Sequence, residues 1–281
     1  MQLKLFKTLW GHIGTVAEAA RQARDAGFDG IEGPVPHGAA EQAALAQALA
    51  DYGLAYIAEI TTAGSYVPER HASVDQHLQD LDAGLSRARA LNPLHVNCIG
   101  GCDAWPLADS LRFFEAGIAL ARQHGLSLSF ETHRGRSLFN PWTTRDVVAA
   151  LPQLALTVDF SHWCVVCERL IDTELEILQT IAPKVHHIHA RVGYDQGPQV
   201  PHPGAPEYAD ALAAHQRWWA LIWSAQRAGG RSVTTMTPEF GPDGYLHCLP
   251  FTRAPVADLW DLNRWIGTTE RAHFADFLAA R

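Results

Sequence analysis

The stretches LSLSFETH (126–133), LALTVDF (154–160) and VHHIHARV (185–192) decide the fold. Each is a strand-length run with recurring apolar residues and a polar residue at or next to its carboxyl end, and the segments between them, 143–151 and 172–181, carry helical patterning. Near-continuous apolar strands that alternate with helices belong to a parallel sheet covered on both faces. The same unit recurs outward in both directions. Toward the start lie strands 3–10, 28–33, 54–60 and 94–100, with helices at 15–26, 39–52, 73–91 and 107–124. Toward the end lie helix 206–228, strand 232–240 and a helical segment from 255 into the tail. Gly27, Gly53 and Gly125 stand just past helical segments, where a left-handed stop belongs. Eight strand–helix units predict a single (β/α)₈ barrel over residues 1–281, and this length suits that fold. A doubly wound open sheet normally carries a glycine-rich phosphate loop after its first strand, and TLWGHIG (8–14) is not one.

Composition narrows the function classes. A net charge of −8 argues against a partner bound through its phosphate backbone, so no nucleic acid is expected. The chain lacks an apolar run of about 18 residues, so no membrane partner is expected. MQLKLFKTLWG at the start lacks the apolar core of a signal peptide. Cys98, Cys102, Cys164, Cys167 and Cys248 are odd in number and sparse, which fits a reducing, cytoplasmic setting. The CxxC at Cys164 and Cys167 has no second pair to complete a zinc site and reads as structural. Trp219 and Trp223, four apart on one helix face, read as core or as a subunit contact, which leaves a homo-oligomer open. The insert at 193–208 follows the seventh strand and is expected over the barrel mouth.

In such a barrel, functional side chains stand at the carboxyl ends of strands. Those ends supply Glu32, Glu59, His95 with Asn97, Glu131 with His133, Asp159 with His162 just beyond, His187 with His189 and Arg191, and Glu239. Glu131, Asp159, His189 and Glu239 come from four consecutive units. Three carboxylates and one imidazole suit one divalent ion such as Mn²⁺, Zn²⁺, Co²⁺ or Mg²⁺, which also relieves the repulsion among the acids. His187 and His189 share a strand face, and His189 is nearer the mouth, so it is the expected ligand while His187 is a buried core histidine. Glu59 and His95 are expected to point into the mouth, and Trp10, after the first strand, to stand at the wall of a pocket there. Trp105, Trp142 and Trp163 follow other strand ends and each reads as packing before pocket wall.

The motifs FETH, VDFSH, HIHAR and PEFG, in this order at successive strand ends, resemble those of the xylose isomerase-like TIM-barrel superfamily, and in particular its sugar isomerase and epimerase branch. The resemblance spans the whole chain. It implies the same four metal ligands, Glu131, Asp159, His189 and Glu239, and it implies substrate contacts from His162 and Arg191. His133 is a further substrate-side candidate. The expected activity is isomerisation or epimerisation of a small sugar, polyol or related carbonyl compound. Glu131 and Glu239 flank the metal from the fifth and eighth strands and are the expected acid/base pair. A dehydratase of inosose type, a phosphodiesterase like endonuclease IV and a non-catalytic sugar-binding barrel are the alternatives.

Overall fold

Local chemistry sets the limits of the helices. Thr15 caps α1 (Val16–Asp25) by accepting from the Glu18 amide, and Glu18 reaches back to the Thr15 amide. Ser73 and Gln76 cap α3 (Val74–Ala88) in the same way. α2 (Ala39–Tyr52) and α4 (Leu107–His124) end at Gly53 and Gly125, with φ of 61° and 69°, a region glycine enters without steric cost. Further along come α5 (Pro141–Ala150), α6 (Phe160–Cys167), α7 (Leu175–Ile181), α8 (Ala209–Ala228) and α9 (Leu259–Ala279). This computed structural model describes residues 1–242 and 244–280.

Eight parallel strands pair in chain order and close into a barrel. They are β1 (Gln2–Thr8), β2 (Gly30–Pro34), β3 (Ala55–Thr61), β4 (His95–Ile99), β5 (Leu128–Glu131), β6 (Leu156–Val158), β7 (Val185–His189) and β8 (Val233–Thr237). The predicted (β/α)₈ barrel is therefore the fold. Outward-facing residues such as Val96, Phe130, Leu156, Val158, Ile188 and Met236 are buried beneath the helices. The inward positions are largely polar. Ser129 meets Thr157 at 2.7 Å, and His187 meets Thr235 at 2.8 Å. Strand periodicity thus sorts cohesion to the outside of the barrel and chemistry to the inside.

Three elements differ from the sequence reading. β6 is only three residues long, because Asp159 leaves the strand to cap α6 through the Ser161 amide. α6 itself is too short to show a helical period, and it carries His162 inside the fold. α9 starts at Leu259 rather than near 255, where Cys248 and Pro255 pair in a local antiparallel bridge. The insert at 193–208 packs on the β8–α9 connection through Gln199, whose amide bonds both the N–H and the C=O of Gly241. None of its described residues lines the mouth cavity. Trp218, Trp219 and Trp223 of α8 are fully buried core. The cysteines are unpaired among the described residues, and no described helix is long and apolar enough to cross a membrane.

Buried histidines make the fold sensitive to acid. His77, at 2.7 Å from the Thr62 hydroxyl, and His215 of α8 are both fully buried, and burial pushes each imidazole down to about 4. The unfolded chain takes up these protons near pH 6.5 and the folded chain does not, so their stabilising effect is complete above pH 6.5 and is lost as the pH falls toward 4. Tm should drop by roughly 5–10 °C between pH 7 and pH 5. The drop should shrink in His77→Gln and His215→Gln, as scanning calorimetry across that range would show.

Candidate metal centre

Glu131 ends β5, Asp159 caps α6, His189 ends β7 and Glu239 stands two residues past β8. The barrel brings one donor atom from each to within 4.8 Å of the others, and all four residues are buried. His189 is the centre of the group. Its Nε2 donates to Glu32 Oε1 at 3.0 Å, which fixes the tautomer and leaves Nδ1 facing the acids. Nδ1 lies 3.0 Å from Glu239 Oε2 and 3.5 Å from Glu131 Oε1, but neither oxygen is in line for a hydrogen bond, so this buried nitrogen is without one. A nitrogen and several carboxylate oxygens that converge on a common point, rather than on one another, fit a cation among them.

Glu32 holds this arrangement from below, and its Oε2 accepts from His187 Nε2 at 3.0 Å. Burial pushes the Glu32 carboxyl up, but His189 and His187 outweigh burial and hold it well below its usual range. The sequence reading noted Glu32 at a strand end and gave it no role. The Asn97 amide donates to Glu131 Oε2 at 2.8 Å. Asp159 accepts from the Ser161 amide at 2.9 Å and is ion-paired with Arg191, whose Nε donates to the Ser161 hydroxyl at 3.0 Å. Burial works against a proton on His189, but Glu239, Glu32 and Glu131 together hold its imidazole well above the usual range.

Above the cluster opens a cavity of about 220 Å³, lined by Glu59, Glu131, His133, Arg191 and Glu239 and roofed by Trp10, Tyr66 and Tyr245. Trp10 and Tyr245 meet edge to face at 5.1 Å, and the Arg191 guanidinium lies 4.8 Å from the Tyr245 ring centroid. Trp10, Glu59, His133 and Arg191 thus line the cavity. His95 and His162 do not. His95 begins β4, a layer too low, and packs against His187 with ring centroids 5.1 Å apart. His162 is fully buried on α6, its ring tilted against that of His133 with centroids 3.9 Å apart, and its Nε2 accepts from Arg191 at 2.6 Å. It meets Arg191 and His133 and does not line the cavity. Trp105, Trp142 and Trp163 also face away from the cavity, and His202 bonds its own loop at the Gly204 amide. Tyr66 and Tyr245 sit in loops with no strand-end signal, which is why the sequence reading missed them.

Residues 20–199 match the family described as xylose isomerase-like TIM barrel. The chain belongs to that family. Solved structures of similar fold include a D-allulose 3-epimerase from Methylomonas sp., 14% identical over 97% of this chain and 98% of that one, with a TM-score of 0.67. A 3-keto-D-glucoside 4-epimerase from E. coli is 14% identical over 96% and 100%, with a TM-score of 0.62. Endonuclease IV from Thermus thermophilus is 15% identical over 98% and 100%, with a TM-score of 0.59. At these identities the likeness is one of fold. Among curated proteins none matches the sequence.

One buried cation organises the mouth of this xylose isomerase-like barrel. Arg136, on the β5–α5 connection, donates to the carbonyls of Thr62, Ser65 and Tyr66 after β3 and of Gly101 after β4. The loop that carries Tyr66 is therefore held from two units away.

A divalent ion at this cluster must displace the proton on His189, so binding and pH are linked. Mn²⁺ or Co²⁺ should raise Tm and release protons, measured by calorimetry in buffers of different ionisation enthalpy. Affinity should climb about tenfold per pH unit through the neutral range. Glu32→Gln, which cannot hold the imidazole as an ionised acceptor, should weaken binding by roughly 10–100-fold. His189→Ala should abolish it. Equal metal affinity in wild type and His189→Ala would remove the cluster as the site.

Proposed function

We propose that this chain is a divalent-metal-dependent isomerase or epimerase of a small, unphosphorylated sugar, polyol or related carbonyl compound, with Glu131, Asp159, His189 and Glu239 as the metal ligands. The observation that carries this reading is the pair Glu131 and Glu239, which face one cavity from either side of His189. Burial drives the Glu239 carboxyl up, against the pull of His189. Burial acts the same way on Glu131, but His189, His133 and Asn97 reverse it and hold that carboxyl low.

A divalent cation at the cluster supplies Lewis acidity, acidifying the C–H beside a polarised carbonyl and offsetting the charge left when the proton goes. Glu131 then takes a proton from that carbon, and Glu239 delivers one to the opposite face, which gives the epimer. Delivery to the neighbouring carbon gives the aldose–ketose isomer. Trp10, Tyr66 and Tyr245 offer ring faces to the C–H surfaces of the substrate and keep water out. The cavity volume lies below the range of drug-sized ligands and favours a single sugar unit. Arg191, the arginine of the described lining, is already paired with Asp159 and has no charge to spare for a phosphate.

The test is a panel of free ketoses and inososes incubated in D₂O with saturating Mn²⁺ or Co²⁺. Solvent deuterium should enter one carbon of a recovered sugar. Glu131→Gln and Glu239→Gln should each slow exchange by about 10²–10⁴-fold, with bound metal measured alongside. Near-normal exchange in either variant, with metal still bound, would make that glutamate a ligand only. Cleavage of abasic DNA with no sugar exchange would replace the proposal with a phosphodiesterase.

A further inference from the structure

Lys7 belongs to the outer face of β1, where Leu3 and Leu5 pack beneath the helices. It is 5% exposed, yet no carboxylate among the described residues lies within ion-pair distance of it. Its ammonium rests 4.1 Å from the ring centroid of Trp260 and faces a cleft of about 190 Å³ between α1 and α9. A buried cation with only an aromatic partner is costly and is normally paired. A second group in the same cleft is also unsatisfied, since Gln22 Oε1 on α1 is buried without a partner. The first turn of α9, with Leu259 and Trp260, forms the third side and adds the partial positive charge of a helix start.

The other titratable groups that face the cleft are His12 and Asp258. Burial holds the His12 imidazole below its usual range, and its Nε2 donates to the Thr15 carbonyl at 3.1 Å. Asp258 is exposed at the cleft mouth and is engaged in capping α9 through the Asp261 amide. Neither neutralises Lys7.

We propose that this cleft is a binding site for a small hydroxycarboxylate, with the carboxylate on the Lys7 ammonium and the hydroxyl donating to Gln22 Oε1. A single ammonium matches a single negative charge, and the unfilled acceptor on Gln22 asks for a donor on the same ligand. The walls of Trp10 and Trp260 suit a short carbon skeleton. Trp10 also walls the metal cavity, so the two sites share one indole and are otherwise separate.

Lys4, Lys7 and Lys184 are the lysines of the chain, so ¹³Cε-lysine labelling gives a sparse spectrum in which Lys7 can be followed directly. Burial pushes Lys7 down to about 8, and a bound anion favours the charged form. Lactate should move the Lys7 resonance and raise its titration midpoint. Affinity should be level below about pH 8 and fall about tenfold per unit above it, as the free amine loses its proton. Lactate should also raise Tm in the wild type and leave Lys7→Met unmoved. Lys7→Met swaps an unpaired buried charge for an apolar chain of similar length and should fold at least as stably. A Lys7 resonance indifferent to lactate would overturn the site, and so would a lactate-dependent Tm rise that survives in Lys7→Met. Acetate binding as tightly as lactate would overturn the role of Gln22, and tighter binding of inorganic phosphate would overturn the carboxylate.

Discussion

The mouth of the barrel gathers acids faster than it gathers cations. Glu32, Glu131, Asp159 and Glu239 are buried within a few ångströms of one imidazole, and Glu59 joins them at the cavity wall. Clustered carboxylates out of water repel one another, and each needs a partner or a proton. Much of the surrounding architecture answers that need. His187 and His189 share Glu32, Asn97 serves Glu131, and Ser161 and Arg191 serve Asp159. Among the groups still without a hydrogen bond is the inward nitrogen of His189, between Glu131 and Glu239. A divalent ion held by Glu131, Asp159, His189 and Glu239, as proposed, would offset that concentration of negative charge.

This concentration of charge is tolerable because the fold does not rest on it. Cohesion comes from the outward faces of the strands and the helices that cover them, including Phe113, Phe114 and Phe130 on one side and Trp218, Trp219 and Trp223 on another. The inward faces contribute hydroxyls and imidazoles that bond across strands. Such a division lets the mouth be optimised for chemistry while the apolar layer between sheet and helices supplies stability.

The barrel and the four converging donors were legible because both follow from period and position. A strand end is visible in sequence, and a parallel barrel puts all such ends on one rim. What escaped depends on depth and on long-range contacts. His95 sits at the start of β4 rather than its end, so its ring falls below the mouth. His162 follows the acid by three residues, but the eight-residue α6 turns it into the protein behind Arg191. Tyr66 and Tyr245 arrive from loops, where no periodicity marks which side chain turns inward. Glu32 looked like any other acid at a strand end until its distance to His189, 157 residues away in sequence, gave it a purpose.

Arg136 links three neighbouring loops through a single side chain, as it sits on one and holds the carbonyls of the other two. Loops on barrels of this type are commonly treated as independent cassettes on an inert scaffold. Here a graft that replaced the β3–α3 connection alone would leave the guanidinium with missing acceptors. One that replaced the β5–α5 connection would leave four carbonyls, those of Thr62 and Gly101 buried, without this donor. The two segments are therefore a unit of inheritance, and divergence of the pocket wall around Tyr66 has to pass through changes in both.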